Sequence, residues 1–116
     1  MNDQTCLVFS SNSSLYGINT IYVEEIIPLP ELIQTSDTSN SVAGAFNFRG
    51  NPCLVIELGL YHNNQKQDYQ LSDSVVVIKW EQSRLGIIAD KVYEVKALSF
   101  EETYDNLPGH LNHVQI

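Results

Sequence analysis

Basic residues are scarce in this chain. Six Lys and Arg stand against fourteen Asp and Glu in 116 residues, a formal charge of −8. Most of such a surface repels a polyanion, so nucleic-acid binding through phosphate neutralisation is disfavoured. The same balance argues against docking on anionic lipid, and no apolar run approaches the roughly 20 residues of a membrane helix. The N-terminus, Met1-Asn2-Asp3-Gln4, lacks the basic region and long apolar stretch of a signal peptide. A cytoplasmic protein with no nucleic-acid partner and no direct membrane insertion is expected.

Cysteine is nearly absent as well. Cys6 and Cys53 are the only two, each among apolar neighbours and in no metal-ligand spacing. Buried, reduced thiols on strands are the expectation. His110 and His113 form an H-x2-H in a polar stretch with no Cys or second His pair beside it, a spacing of low specificity for metal. Glu24-Glu25 and Glu101-Glu102 are paired carboxylates, but neighbours on a strand point to opposite faces, which argues against joint acid–base work. No G-x-S-x-G elbow and no phosphate-cradling glycine loop is present. Neither an enzyme nor a metal or cofactor site is expected.

What the chain does have is apolar residues in short runs. They make up 43% of the sequence, enough for one domain that hides roughly two-thirds of its unfolded surface without staples. Cys6–Phe9 and Leu15–Ile18, parted by a Ser/Asn cluster, predict a hairpin. Ile21–Ile27 fits a strand or a short helix, and Pro28 and Pro30 end it. Val42–Phe48 and Cys53–Leu58 flank the turn signal Arg49-Gly50-Asn51-Pro52. Ser74–Trp80, Glu81-Gln82-Ser83 and Leu85–Ala89 form the strongest hairpin pattern. Val75–Ile78 is apolar on both faces and therefore predicts a central strand. Lys91–Leu98 predicts a last strand, and Glu101–Ile116 shows no convincing period. Six or seven strands with little helix indicate an all-β barrel or sandwich.

One cation is conspicuous. Arg49 is the only Lys or Arg in residues 1–65, a stretch that also holds Asp3, Glu24, Glu25, Glu31, Asp37 and Glu57. Its five-donor fork has two candidate uses: pairing with Glu24 or Glu25 across a sheet, or reaching a partner's carboxylate.

Four stretches resemble the CheW-like adaptors of bacterial chemosensory arrays. They are Cys6-Leu7-Val8-Phe9 with Tyr16-Gly17-Ile18; Val23-Glu24-Glu25-Ile26; Gly44-Ala45-Phe46-Asn47-Phe48-Arg49-Gly50; and Val75–Ile78 with Leu85–Val92. The resemblance spans roughly residues 5–98, and Asn47-x-Arg49-Gly50 is its most specific element. It implies two small five-stranded SH3-like β-barrels sharing a core, the second incomplete, with the domain at residues 1–98 and a polar tail at 99–116. It also implies a non-catalytic adaptor joining the regulatory domain of a CheA-type histidine kinase to the cytoplasmic tips of chemoreceptors. Chemotaxis and pilus-based motility both remain open as the pathway. By position, Glu25 and Arg49 match an acid and a base of the family's receptor-facing surface, with Val23, Gly44 and Asn47 nearby.

The chain departs from the family mildly at Phe48 and at Leu54-Val55-Ile56-Glu57-Leu58, and more at its end, since family members continue well past the region of Leu98. An uncovered edge there predicts a homodimer or a segment swap. Two alternatives stand beside the adaptor: a shortened regulatory or decoy form that binds one partner only, and a small-ligand-binding barrel.

Overall fold

Short runs of β-branched and aromatic residues, cut by turn residues, form nine strands among the described residues of the computed structural model. Residues 3–11, 13–34, 42–58, 73–99 and 111–114 are described. Strands β1 (Asp3–Ser11) and β2 (Ser14–Asn19) pair as the expected hairpin. At Ile21–Ile27 both expected conformations occur in succession. Thr20–Tyr22 makes one 3-10 turn, capped by Asn19, whose Oδ1 accepts from the Ile21 N–H at 3.1 Å; β3 (Val23–Pro28) follows. Strands β4 (Val42–Phe48) and β5 (Asn51–Ile56) form the second hairpin, and β6 (Ser74–Trp80) with β7 (Ser83–Ala89) the third. Strand β8 (Lys91–Ser99) returns beside β1, and β9 (Leu111–Val114) pairs with β2.

The strands divide into a four-stranded sheet, β8-β1-β2-β9, and a five-stranded sheet, β3-β6-β7-β5-β4. The all-β expectation holds, as four strands plus five. Strand β9 falls inside the stretch that shows no period in the sequence. The H-x2-H reading meets the fold only at His113, whose backbone lies opposite Tyr16; His110 and the His113 side chain lie outside the described residues.

The five-stranded sheet is buried on both faces at its centre. On one face Val76, Ile78, Ile87 and Ala89 join Leu7, Phe9, Tyr16 and Ile18 of the other sheet, where the Phe9 and Tyr16 rings stack at 5.9 Å. On the other face Val75, Val77 and Ile88 join Ala43, Phe46, Phe48, Cys53 and Val55. Each residue from Val75 to Ile78 is 0% exposed, so the doubly apolar run is the central strand it predicted. Cys6 and Cys53 are free and buried, as expected. Burial pushes both thiols up, so they stay protonated near neutrality; at Cys53 the Arg84 charge offsets part of the rise.

The β4–β5 connection is tighter than its sequence signal. Asn51 and Pro52 already belong to β5, and Arg49-Gly50 alone make the turn, at φ 51° and 88°. Two successive positive φ values are the pattern of a type I′ hairpin, which matches the twist of the strands it joins. Asn47 Oδ1 accepts from the Gly50 N–H at 2.8 Å and braces the turn. Pro52 stands opposite Asn47, one position from the closing pair Phe48 and Asn51, where an antiparallel ladder needs no N–H. Its other side is free of the β7 ladder, which begins at Leu54.

Candidate functional site

One end of the five-stranded sheet gathers charge. There β3, β5 and β7 begin, and the β4–β5 and β6–β7 hairpin tips come together. Phe48 closes this end of the second core cluster, 5% exposed and edge-on to Phe46 at 6.2 Å. The guanidiniums of Arg49 and Arg84 lie over its ring at 4.9 and 5.4 Å. Arg49 Nη2 donates to Glu25 Oε1 at 2.5 Å, and its Nη1 is 3.9 Å from Glu24 Oε2. Glu24 Oε1 lies 3.2 Å from Arg84 Nε. The four charges therefore alternate in a chain, Glu25–Arg49–Glu24–Arg84.

A bulge makes the chain possible. Val23 pairs with Ile78 and Glu25 with Val77, so Glu24 is an extra residue on β3. Neighbouring side chains on a regular strand point to opposite faces, which is why the sequence argues against joint use of Glu24 and Glu25. The inserted residue breaks that alternation and brings both carboxylates to Arg49.

The two ends of the chain differ in exposure. The Arg49 side chain is 60% exposed and Glu25 39%, whereas Glu24 is 15% exposed. An exposed pair such as Arg49–Glu25 contributes about 0–1 kcal/mol to stability. The fold gains little from it, and Arg49 sits at a left-handed φ that favours glycine or asparagine. Turn propensity and ion-pair stability together therefore do not account for an arginine at this position.

Between the two tips lies a pocket of about 320 Å³, with Phe48, Pro52 and Cys53 on one side and Gln82, Ser83 and Arg84 on the other. Among the described residues no group of three His, Cys, Asp or Glu is placed to hold a metal ion. No helix among them is long and apolar enough to cross a membrane.

The model of the CheW-like domain matches residues 5–114, nearly the whole chain. The chain belongs to the CheW-like domain family. Chemotaxis protein CheW of Klebsiella aerogenes is 28% identical over 99 residues, covering 85% of this chain and 60% of that protein. Chemotaxis protein CheW of Treponema pallidum is 28% identical over 100 residues, covering 83% and 59%. Chemotaxis protein CheV3 of Helicobacter pylori is 23% identical over 92 residues, covering 76% and 29%. The chain thus spans about three-fifths of the length of the two CheW relatives. The crystal structure of scaffolding protein TtCheW from Thermoanaerobacter tengcongensis superposes with a TM-score of 0.74 at 24% identity, covering 82% of this chain and 65% of that one. The likeness shows a shared all-β, two-subdomain SH3-like fold.

Within this CheW-like domain the residues singled out in the sequence take different places. Glu25 and Arg49 meet at the exposed surface. Asn47 is exposed and engaged with the turn through Gly50. Val23 is half-buried and packs on the first core cluster beneath the bulge. Gly44 is buried at φ 156°, and a Cβ there would come within 2.9 Å of Leu32 Cβ and 3.0 Å of the Ile33 carbonyl oxygen. Its bare backbone lets Ile33 and Ala45 exchange hydrogen bonds of 2.7 and 2.9 Å. Arg84 was missed, because a lone Arg after a turn carries no signal until β5 is known to run beside β7 and β3 beside β6.

Proposed function

We propose that this domain is a non-catalytic chemosensory adaptor, and that the Glu25–Arg49 face at the end of the five-stranded sheet meets a helical partner, the cytoplasmic tip of a chemoreceptor. A CheA-type histidine kinase, through its regulatory domain, is the second partner, and the working location is the cytoplasmic side of receptor arrays at the inner membrane. The observation that carries the reading is the exposed, strained Arg49 paired with Glu25 in a chain whose family match runs from residue 5 to residue 114. Asn47 shapes the tip that presents Arg49, while Val23 and Gly44 support the face from beneath.

An apolar row supports a protein partner. Ile33, Ala45, Leu54 and Leu85 stand opposite one another across adjacent strands and so share a face. Ile33 is 68% and Leu54 39% exposed. An amphipathic helix offers apolar anchors for such a strip and charges for its rim.

The test is titration of the domain with a receptor-tip fragment and, separately, with the kinase regulatory domain. Arg49→Glu is expected to weaken receptor-tip binding at least tenfold with an unchanged circular dichroism spectrum. Unchanged affinity would overturn the role of this face, and saturable binding to one partner alone would favour the one-partner form.

A further inference from the structure

We propose that the pocket between the two hairpin tips receives a carboxylate side chain of a bound protein partner, gripped by the terminal nitrogens of Arg84. The proposal rests on the adaptor reading only for the identity of the protein that carries the carboxylate.

The lining decides the chemistry. Among the described residues Arg84 is the one charged group that lines the pocket, and Asn51, Gln82 and Ser83 add neutral groups able to donate hydrogen bonds. Among the described residues no carboxylate lines it, in a domain that carries fourteen Asp and Glu. The Cys53 thiol in its wall is neutral near pH 7, because burial pushes it up. A cationic fork with donors around it and no competing anion suits a carboxylate.

Arg84 is held without being used up. Its Nε lies 3.2 Å from Glu24 Oε1 yet is buried without a hydrogen bond among the described residues, and its guanidinium rests over Phe48. Among the described residues no ion pair engages its terminal nitrogens. Glu24 and Phe48 therefore fix the base of the fork while leaving its prongs for a ligand. Glu24, at 15% exposure and between two arginines, acts as a positioning residue.

Size and backbone agree. A volume of 320 Å³ is at the small end of ligand sites, room for one or two side chains and too little for a dinucleotide. A glutamate fits with its methylenes against Phe48 and Pro52. Both flanking tips keep a non-glycine residue at positive φ, Arg49 at 51° and Glu81 at 55°. Strain of this kind gathers at ligand clamps. In a domain of charge −8, an acidic anchor is also selective, since it is repelled wherever it fails to meet this arginine.

The probe is N-acetyl-glutamate N-methylamide, with the glutamine analogue as its neutral isostere, followed by amide and arginine Nε–H NMR on the whole domain. Saturable shifts at Gln82, Ser83 and the Arg84 Nε–H are expected with the glutamate probe, saturating on the order of millimolar. The glutamine probe should give less than a fifth of the shift. Arg84→Lys should lose the shifts and Lys96→Gln, exposed on the other sheet, keep them. Gln82→Glu, at an exposed turn position where folding is spared, should also abolish them by placing a carboxylate at the mouth. Equal shifts from both probes would overturn the proposal, and so would retention of the shifts in Arg84→Lys. Because neither receptor nor kinase is present, failure here leaves the adaptor reading intact, and failure of the partner titrations leaves this result intact.

Discussion

Replacing Arg49 by Asn tests whether this turn position serves the fold or the proposed partner face. The substitution removes three contacts: the Glu25 hydrogen bond, the 3.9 Å approach to Glu24 and the guanidinium over Phe48. At 60% exposure the ion pairs are worth about 0–1 kcal/mol together and the ring contact about 0.5–1 kcal/mol. Against this, φ 51° costs an ordinary L-residue roughly 1–2 kcal/mol relative to helical backbone, a penalty that Asn largely avoids. Asn-Gly is moreover the preferred pair for this turn type. The gains and losses offset one another to within about 1 kcal/mol, so the melting temperature should move by less than about 8 °C. Binding should respond differently. An arginine anchoring an interface contributes about 2 kcal/mol or more, so affinity for the receptor-tip fragment should fall roughly thirtyfold. Urea denaturation and fluorescence titration on the same preparation measure the two effects. A stability loss above about 3 kcal/mol would show that Arg49 is a structural residue, and an unchanged dissociation constant would remove it from the interface.

Gly44→Ala should destabilise the domain by about 1–3 kcal/mol, because the new methyl meets Leu32 Cβ and the Ile33 carbonyl. Hydrogen exchange at the Ile33 and Ala45 amides should accelerate with it, and a loss under 0.5 kcal/mol would refute the close-approach argument. Alkaline pH should unfold the domain progressively. Burial raises Cys6, Cys53 and Tyr16 in the folded state, so the unfolded chain ionises first. Stability should hold below about pH 8.5 and fall as pH rises through the ordinary thiol and phenol ranges. A melting temperature flat between pH 8 and pH 11 would contradict it.

Local pattern carried much of this fold. The three hairpins follow from runs of strand formers parted by turn residues, and the central strand from apolar residues on consecutive positions. Arg49 stood out by isolation in an acidic half, and its pairing with Glu25 is one of the two uses the sequence suggested. The sequence misled at Glu24. A bulge inserts a residue without altering composition, so strict alternation assigned the two glutamates to opposite faces when one arginine reaches both. Strand β9 escaped because four residues are too few to show a period, and its partner β2 lies far back in the chain. Arg84 meets Phe48 through the parallel pairing of β5 with β7 and Glu24 through the pairing of β6 with β3, and each crosses an interval that no local signal spans.

Successive side chains of β6 enter two different clusters, Val76 and Ile78 on one side and Val75 and Val77 on the other. Such a strand is a party wall: each compartment is built against the same few residues, about 3.3 Å apart along the backbone. Neither compartment can melt while its neighbour stands, since withdrawing the wall from one empties the other. Load applied at the charged end of the sheet is therefore expected to be shared by both compartments, which should yield together rather than bend about a hinge between them.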